Sequence, residues 1–255
     1  MRLIVTRPAE DAERQAAQVR ALGHEALIRP LMEVFFEHLT PLQLDGVQAL
    51  IATSRNALRG LSRNGAFEDA RGLPVYCVGD STADYARELG FTEVFSGEGT
   101  AKDLVPLIVH GLDPQAGSLL YLTGHLLAFD LETPLKSSGF LVPRVILYET
   151  RESGAASASH FAETLAEGVD GVILMSPRTS TIFVGLVEKF NLEREAGAIM
   201  CYCYSDAIAE PLRDINGLTV QVSSHPTEAD LMELIGPAPL QIAALADLEE
   251  VLGKI

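Results

Sequence analysis

The sequence predicts an α/β fold built as two similar three-layer α/β domains with mostly parallel sheets. Two observations carry this. First, short apolar runs alternate with helix-like stretches along nearly the whole chain, the pattern of βα units with right-handed crossovers. Second, the chain repeats itself. Residues 49–61, ALIATSRNALRGL, pass from an apolar run through Thr53-Ser54-Arg55-Asn56 into a helix, and residues 171–187, GVILMSPRTSTIFVGLV, do the same. Ser54 and Ser176 take equivalent places. Gly79-Asp80-Ser81-Thr82-Ala83 matches Ser205-Asp206-Ala207-Ile208-Ala209, and Thr100-x-x-Asp103-Leu104 matches Thr227-x-x-Asp230-Leu231. Thr6 with its helix and Gly23 resembles Thr123 with Gly139. Two similar halves imply two domains, with a cleft between them as the expected ligand site.

In chain order, residues 3–5 read as a buried strand, and Thr6-Arg7-Pro8 turns it into a helix over 9–22 that Gly23 stops. A strand at 25–28 and an extended segment at 31–37 follow, then a short helix over 42–47. After the strand–turn–helix of 49–61 come a strand at 73–78, a helix at 83–89 and a strand at 91–95. Thr100 opens a helix to His110, with Asp103 completing a capping-box-like pair. A strand at 118–122, the turn Thr123-Gly124-His125, a helix at 130–137 and an extended run at 140–148 complete this half. The stretch SGAASAS, 153–159, reads as a turn before a helix at 160–167. The second copy of the opening pattern leads to a strand at 198–204, a helix at 206–215, a strand at 218–222 and a helix from Thr227 to Ile235. A further amphipathic helix is expected over 240–252.

Composition narrows the function. A chain of 255 residues, 47 % hydrophobic and 21 % charged, can bury a sizeable core. No apolar run is long enough to span a membrane, and the N-terminus lacks a cleavage pattern, so a cytoplasmic protein is expected. A net charge of −16 argues against nucleic acid. Cys77, Cys201 and Cys203 read as buried hydrophobes, and the scattered histidines form no metal-ligand pair.

The dinucleotide, Walker and GxSxG patterns are all missing. What remains is a set of outward strand-end turns: Thr53–Asn56, Gly79–Thr82 and Thr123–His125 in one half, and Thr6–Pro8, Ser176–Thr179 and Ser205–Asp206 in the other. Such turns present hydroxyls and free N–H groups to anions. Ser176 before Pro177 reads first as a helix N-cap. Tyr148 ends an extended run. If the runs at 31–37 and 144–151 connect the domains, it lies at the cleft floor, with a phenol able to donate a proton.

The ordered set Thr53-Ser54-Arg55-Asn56-Ala57, Val78-Gly79-Asp80-Ser81-Thr82-Ala83, Thr100–Leu104, Leu147-Tyr148-Glu149-Thr150, Ser176-Pro177 and Pro226-Thr227, with Val5-Thr6-Arg7-Pro8 before it, resembles uroporphyrinogen-III synthase over about residues 2–236. The resemblance implies two α/β domains, 1–34 with 150–255 and 35–149, joined by two extended connector strands. It implies cyclisation of the linear tetrapyrrole hydroxymethylbilane, with inversion of ring D and loss of water, and no cofactor or metal. It makes Tyr148 the catalytic residue, and Thr82 and Ser176 site residues. Thr6, Arg7, Thr53, Ser54, Asn56, Gly79, Gly124, Pro177, Ser205 and Thr227 join them as expected substrate contacts. A monomer is expected, its substrate handed over by the preceding pathway enzyme. Ala207 and Ile208 depart from the family, which commonly has threonines there; Asp206 would repel a carboxylate if it faced the ligand. Arg7, Arg55 and Arg178 are the cations available to offset the acidic chain. The competing readings are a non-catalytic two-lobed binder of a small anion, and a homologue that has lost activity.

Overall fold

The computed structural model describes residues 1–37, 40–97, 101–127, 129–213, 215 and 217–239, with backbone alone for 101 and 102. The expected Thr100 cap and the helix at 240–252 lie outside the described residues. Contacts divide the chain into two compact units, Met1–Glu33 with Glu152–Ile255, and Val34–Arg151.

The elements run β1 (Arg2–Val5), α1 (Ala9–Ala21), β2 (Glu25–Ile28), β3 (Met32–Phe36), β4 (Val47–Ala52), α2 (Arg55–Ser62), α3 (Phe67–Ala70), β5 (Val75–Cys77), α4 (Asp80–Glu88), β6 (Val94–Ser96), α5 (Ala101–Gly111), β7 (Ser118–Gly124), α6 (Glu132–Ser137) and β8 (Arg144–Glu152). They continue with α7 (Ala155–Ala166), β9 (Gly171–Leu174), α8 (Pro177–Phe190), α9 (Glu193–Gly197), β10 (Met200–Cys203), α10 (Asp206–Ala209), a 3₁₀ turn (Glu210–Leu212), β11 (Thr219–Val222) and α11 (Glu228–Ile235).

Among the described residues the first unit holds a sheet in the order β11-β10-β9-β1-β2, and each strand runs parallel to its neighbours. The second holds β3-β8-β7-β4-β5-β6, parallel from β8 through β6. Leaving β3 aside, the two orders are one topology read from different starting points. In the second unit the chain runs outward through β4, β5 and β6, then returns for β7 and β8. In the first it runs outward through β9, β10 and β11, and β1 and β2 fill the return positions. Short loops and right-handed βα crossovers permit either starting point.

Each sheet buries both faces, so residues alternate between two helix layers. In the first unit Ile4, Val172 and Cys201 pack with Phe161 and Phe183, while Leu3, Val5 and Ile173 pack with Val19 and Leu231. In the second, Leu50, Ala52 and Leu122 pack with Leu58 and Leu61, while Ala49, Ile51 and Tyr121 pack with Leu104 and Ile108. Strands β3 and β8 carry the chain between units. Leu31 O accepts Ser153 N–H at 3.0 Å and Leu147 O accepts Glu37 N–H at 2.9 Å, the opposed directions of an antiparallel pair.

Several expectations are corrected. Residues 42–47 form no helix. Gly46 turns at φ 72° and its carbonyl accepts Ser118 N–H, so the chain enters the sheet before a helical nucleus closes. SGAASAS is mostly helix, because α7 starts at Ala155 and alanine is the best helix former. The expected 206–215 helix is one α-turn followed by a 3₁₀ turn containing Pro211, which lacks the N–H to continue. Helices α2 and α4 start earlier than their apolar runs, which brings Asn56 and Thr82 into first turns.

Candidate functional site

In open parallel sheets ligands sit beyond the C-terminal strand ends, at the point where strand order reverses. In the second unit that point falls between β4 and β7, flanked by Thr53-Ser54 and by Gly124. In the first it falls between β9 and β1, flanked by Ser176 and by Thr6. The fold therefore gathers Thr53, Ser54, Asn56, Gly79, Thr82, Gly124 and Tyr148 along one sheet edge. It gathers Thr6, Arg7, Ser176, Pro177, Ser205 and Thr227 along the corresponding edge of the other unit.

Tyr148 is placed by a β-bulge. Thr123 pairs with Ile146 and Gly124 with Tyr148, so Leu147 is the extra residue. Without it Leu147 and Tyr148 would face opposite sides of the sheet. With it both lie against the same core, Leu147 buried and Tyr148 partly so. The bulge is held on both sides: Glu37 N–H donates to Leu147 O at 2.9 Å and His125 N–H to Tyr148 O at 3.1 Å. The side chains of Glu37 and His125 meet at 3.2 Å. Burial raises the Tyr148 phenol above the usual tyrosine range, and a side-chain hydrogen bond with Ser54 works the other way. The group is therefore a neutral donor at physiological pH.

Ser54 also accepts from Asn56 N–H at 3.1 Å as the N-cap of α2. The Asn56 side-chain carbonyl accepts from Arg59 at 2.7 Å. Thr53 lies near Tyr121, a buried tyrosine whose phenol burial raises while the Thr53 side chain works the other way. Gly79 occupies the N-cap position of α4 at φ 70°, and Thr82 is buried in the first turn behind it.

In the first unit Ser176 caps α8, accepting from Thr179 N–H at 3.1 Å, with Pro177 as the first helical residue. Thr227 caps α11 through Asp230 N–H at 3.1 Å. Thr6 is closed off from solvent, and its hydroxyl donates to Ile173 O at 2.7 Å, tying β1 to β9. The Arg7 guanidinium is shared between Asp11 at 3.2 Å and Glu228 at 2.8 Å. Arg55 is buried, whereas Arg178 is exposed on α8. Ser205 stands at the N-cap position of the one-turn α10 without a side-chain cap bond. Asp206 is exposed and faces Arg213 at 3.6 Å, Ala207 is exposed and Ile208 belongs to the core. The two positions where the resemblance leads one to expect threonines thus hold one surface residue and one core residue.

The family model for uroporphyrinogen-III synthase HemD matches residues 13–233. The chain belongs to the uroporphyrinogen-III synthase family. Membership makes it a cyclising lyase of tetrapyrrole biosynthesis acting on a small tetrapyrrole substrate. The match covers every expected site residue except Thr6 and Arg7. No curated protein matches the chain. Among solved structures it is similar to the uroporphyrinogen-III synthetase of Helicobacter pylori, at 19 % identity over 92 % of this chain and 98 % of that one, with a TM-score of 0.61. It is also similar to a mutant uroporphyrinogen III synthase of Thermus thermophilus, at 19 % identity over 92 % of this chain and 97 % of that one, with a TM-score of 0.53. Among the described residues no helix is long and apolar enough to cross a membrane.

Sequence reasoning missed the bulge at Leu147 and the Glu37–His125 pair. A glycine inside the α2 pattern, Gly60, is the one local sign of the first, because a helical glycine often marks a close approach.

Proposed function

We propose that this chain closes hydroxymethylbilane to uroporphyrinogen III with Tyr148 as the proton donor, the strand-end turns holding the substrate's carboxylate arms. The bulge that aims a neutral, partly buried phenol along the edge carrying Ser54 supports this reading. The pyrrole nitrogen of ring A pushes out the hydroxyl, which takes the phenol proton and leaves as water. The resulting cation is attacked by the α-carbon of ring D that already carries its bridge to ring C, which gives a spirocyclic pyrrolenine. That bridge bond then breaks, leaving ring D on ring A and a second azafulvene cation on ring C, and the free α-carbon of ring D attacks it to close the macrocycle with ring D inverted. The proton released when that ring regains aromaticity restores the phenol. The substrate closes unaided to the other isomer, so the protein contributes chiefly orientation. Helix N-termini bind anions without net charge, which reconciles eight substrate carboxylates with a chain of net charge −16. Ser54, Asn56, Gly79, Thr82, Ser176, Pro177, Ser205 and Thr227 line these N-terminal turns. We read the domains as 1–34 with 150–255 and 35–149, and the protein as a cytoplasmic monomer that receives its substrate from the preceding enzyme.

The test is to supply freshly generated hydroxymethylbilane and separate the isomers. Uroporphyrinogen III is expected. Uroporphyrinogen I alone, formed at the spontaneous rate, would overturn the reading.

A further inference from the structure

We propose that Gly124 is a positioning residue, the seat across which the Tyr148 ring reaches from β8 toward Ser54 on the far side of β7. The inference rests on Tyr148 as the proton donor. Three parallel strands set the geometry. Ala52 of β4 stands opposite Leu122 of β7, and Gly124, two residues on, stands opposite Tyr148 of β8. Ser54 is likewise two residues beyond Ala52, so Ser54, Gly124 and Tyr148 lie at one level with the glycine in the middle. A Cβ built on Gly124 would meet Tyr148 Cζ at 2.7 Å, Cε2 at 2.8 Å and Cε1 at 3.2 Å. The hydroxyl-bearing end of the ring therefore rests on the bare backbone of Gly124. Any side chain at 124 lifts that end away from Ser54.

Position 124 is a buried strand position without a left-handed φ, so alanine suits its backbone. The three atoms nearest such a Cβ all belong to the ring. The Gly124→Ala protein should keep its circular dichroism spectrum while kcat falls roughly ten- to a hundredfold, the scale of a displaced catalytic group. KM should hardly move. The ultraviolet or NMR titration of the Tyr148 phenol should differ from wild type. In a Tyr148→Phe background the same change should cost almost nothing further, because Gly124 acts through the phenol. An unchanged kcat, or an equal loss in both backgrounds, would overturn the proposal. If Tyr148→Phe itself turns over like wild type, the proton-donor reading fails, and an unmoved phenol titration in Gly124→Ala then overturns the seat as well. Should Gly124→Ala fail to fold, adding Tyr148→Leu should restore folding by removing the ring; no restoration would likewise overturn it.

Discussion

Ser54 and Ser176 cap their helices with nearly the same backbone angles, φ −155° and ψ 147° against φ −152° and ψ 151°. Each follows the central strand on one side of its unit's switch point. Each accepts from a first-turn N–H at 3.1 Å. Replacing Ser176 with Ala should lower stability by about 1 kcal/mol in urea denaturation. Ser54→Ala should lose a similar amount and also slow turnover, because the Ser54 side chain offsets part of the effect of burial on the Tyr148 phenol. Equal activity in wild type and Ser54→Ala would separate the cap from the chemistry.

Tyr148→Phe removes the proposed donor and keeps the ring on Gly124. The expected result is kcat lower by about a hundredfold, the small end of general acid catalysis because the substrate also reacts alone. Thermal stability should change little. Steady-state assay with isomer analysis checks both the rate and the selectivity.

Gly60 braces the bulge from α2. A Cβ there would meet Leu147 Cβ at 2.7 Å and Leu147 O at 3.0 Å. Alanine favours a helix over glycine by about 0.8–1 kcal/mol. Overpacking costs about 1–3 kcal/mol, and here it falls on backbone that cannot swing aside. Gly60→Ala should therefore destabilise the protein on balance, a result read from the urea midpoint. A raised midpoint would show that the bulge yields freely.

Ile208 stands where the resemblance leads one to expect threonine. It is 3 % exposed and packs in the core of its unit. Restoring threonine buries a hydroxyl without a partner, a cost of about 1–3 kcal/mol in protein cores. Ile208→Thr should lose stability without gaining activity. Faster turnover by this variant would place position 208 in contact with substrate.

Burial pushes the thiols of Cys77, Cys201 and Cys203 from 9.0 up to about 12. A folded pKa raised above the unfolded value gives stability that is complete below the unfolded pKa and lost as pH rises toward the folded one. The protein should thus weaken steadily from pH 9.0 to about 12. Replacing Cys201 and Cys203 with Ala should flatten that slope in melts taken across the range.

Much of the architecture is legible in local patterns. Apolar runs, capping serines and glycine stops are decided by residues close in sequence, and so are β1, α1, β9 and α8. The repeat is legible for the same reason, since each half writes its own strand–turn–helix. Local patterns mislead where the tertiary context decides. Residues 42–47 have helical composition, yet their backbone is drawn into pairing with β7. SGAASAS looks like a loop until Ala158 has a core to enter.

The same division holds at the site. Near neighbours along the chain are enough to set the α/β class, the paired caps at Ser54 and Ser176, and a tyrosine at the end of an extended run. Long-range packing alone commits the Thr6 hydroxyl to the scaffold, holds Arg7 between Asp11 and Glu228, and lays Tyr148 over Gly124. Those outcomes depend on which strands become neighbours and on one extra residue in β8. Register is a long-range property, and a single bulge reverses which face a side chain takes.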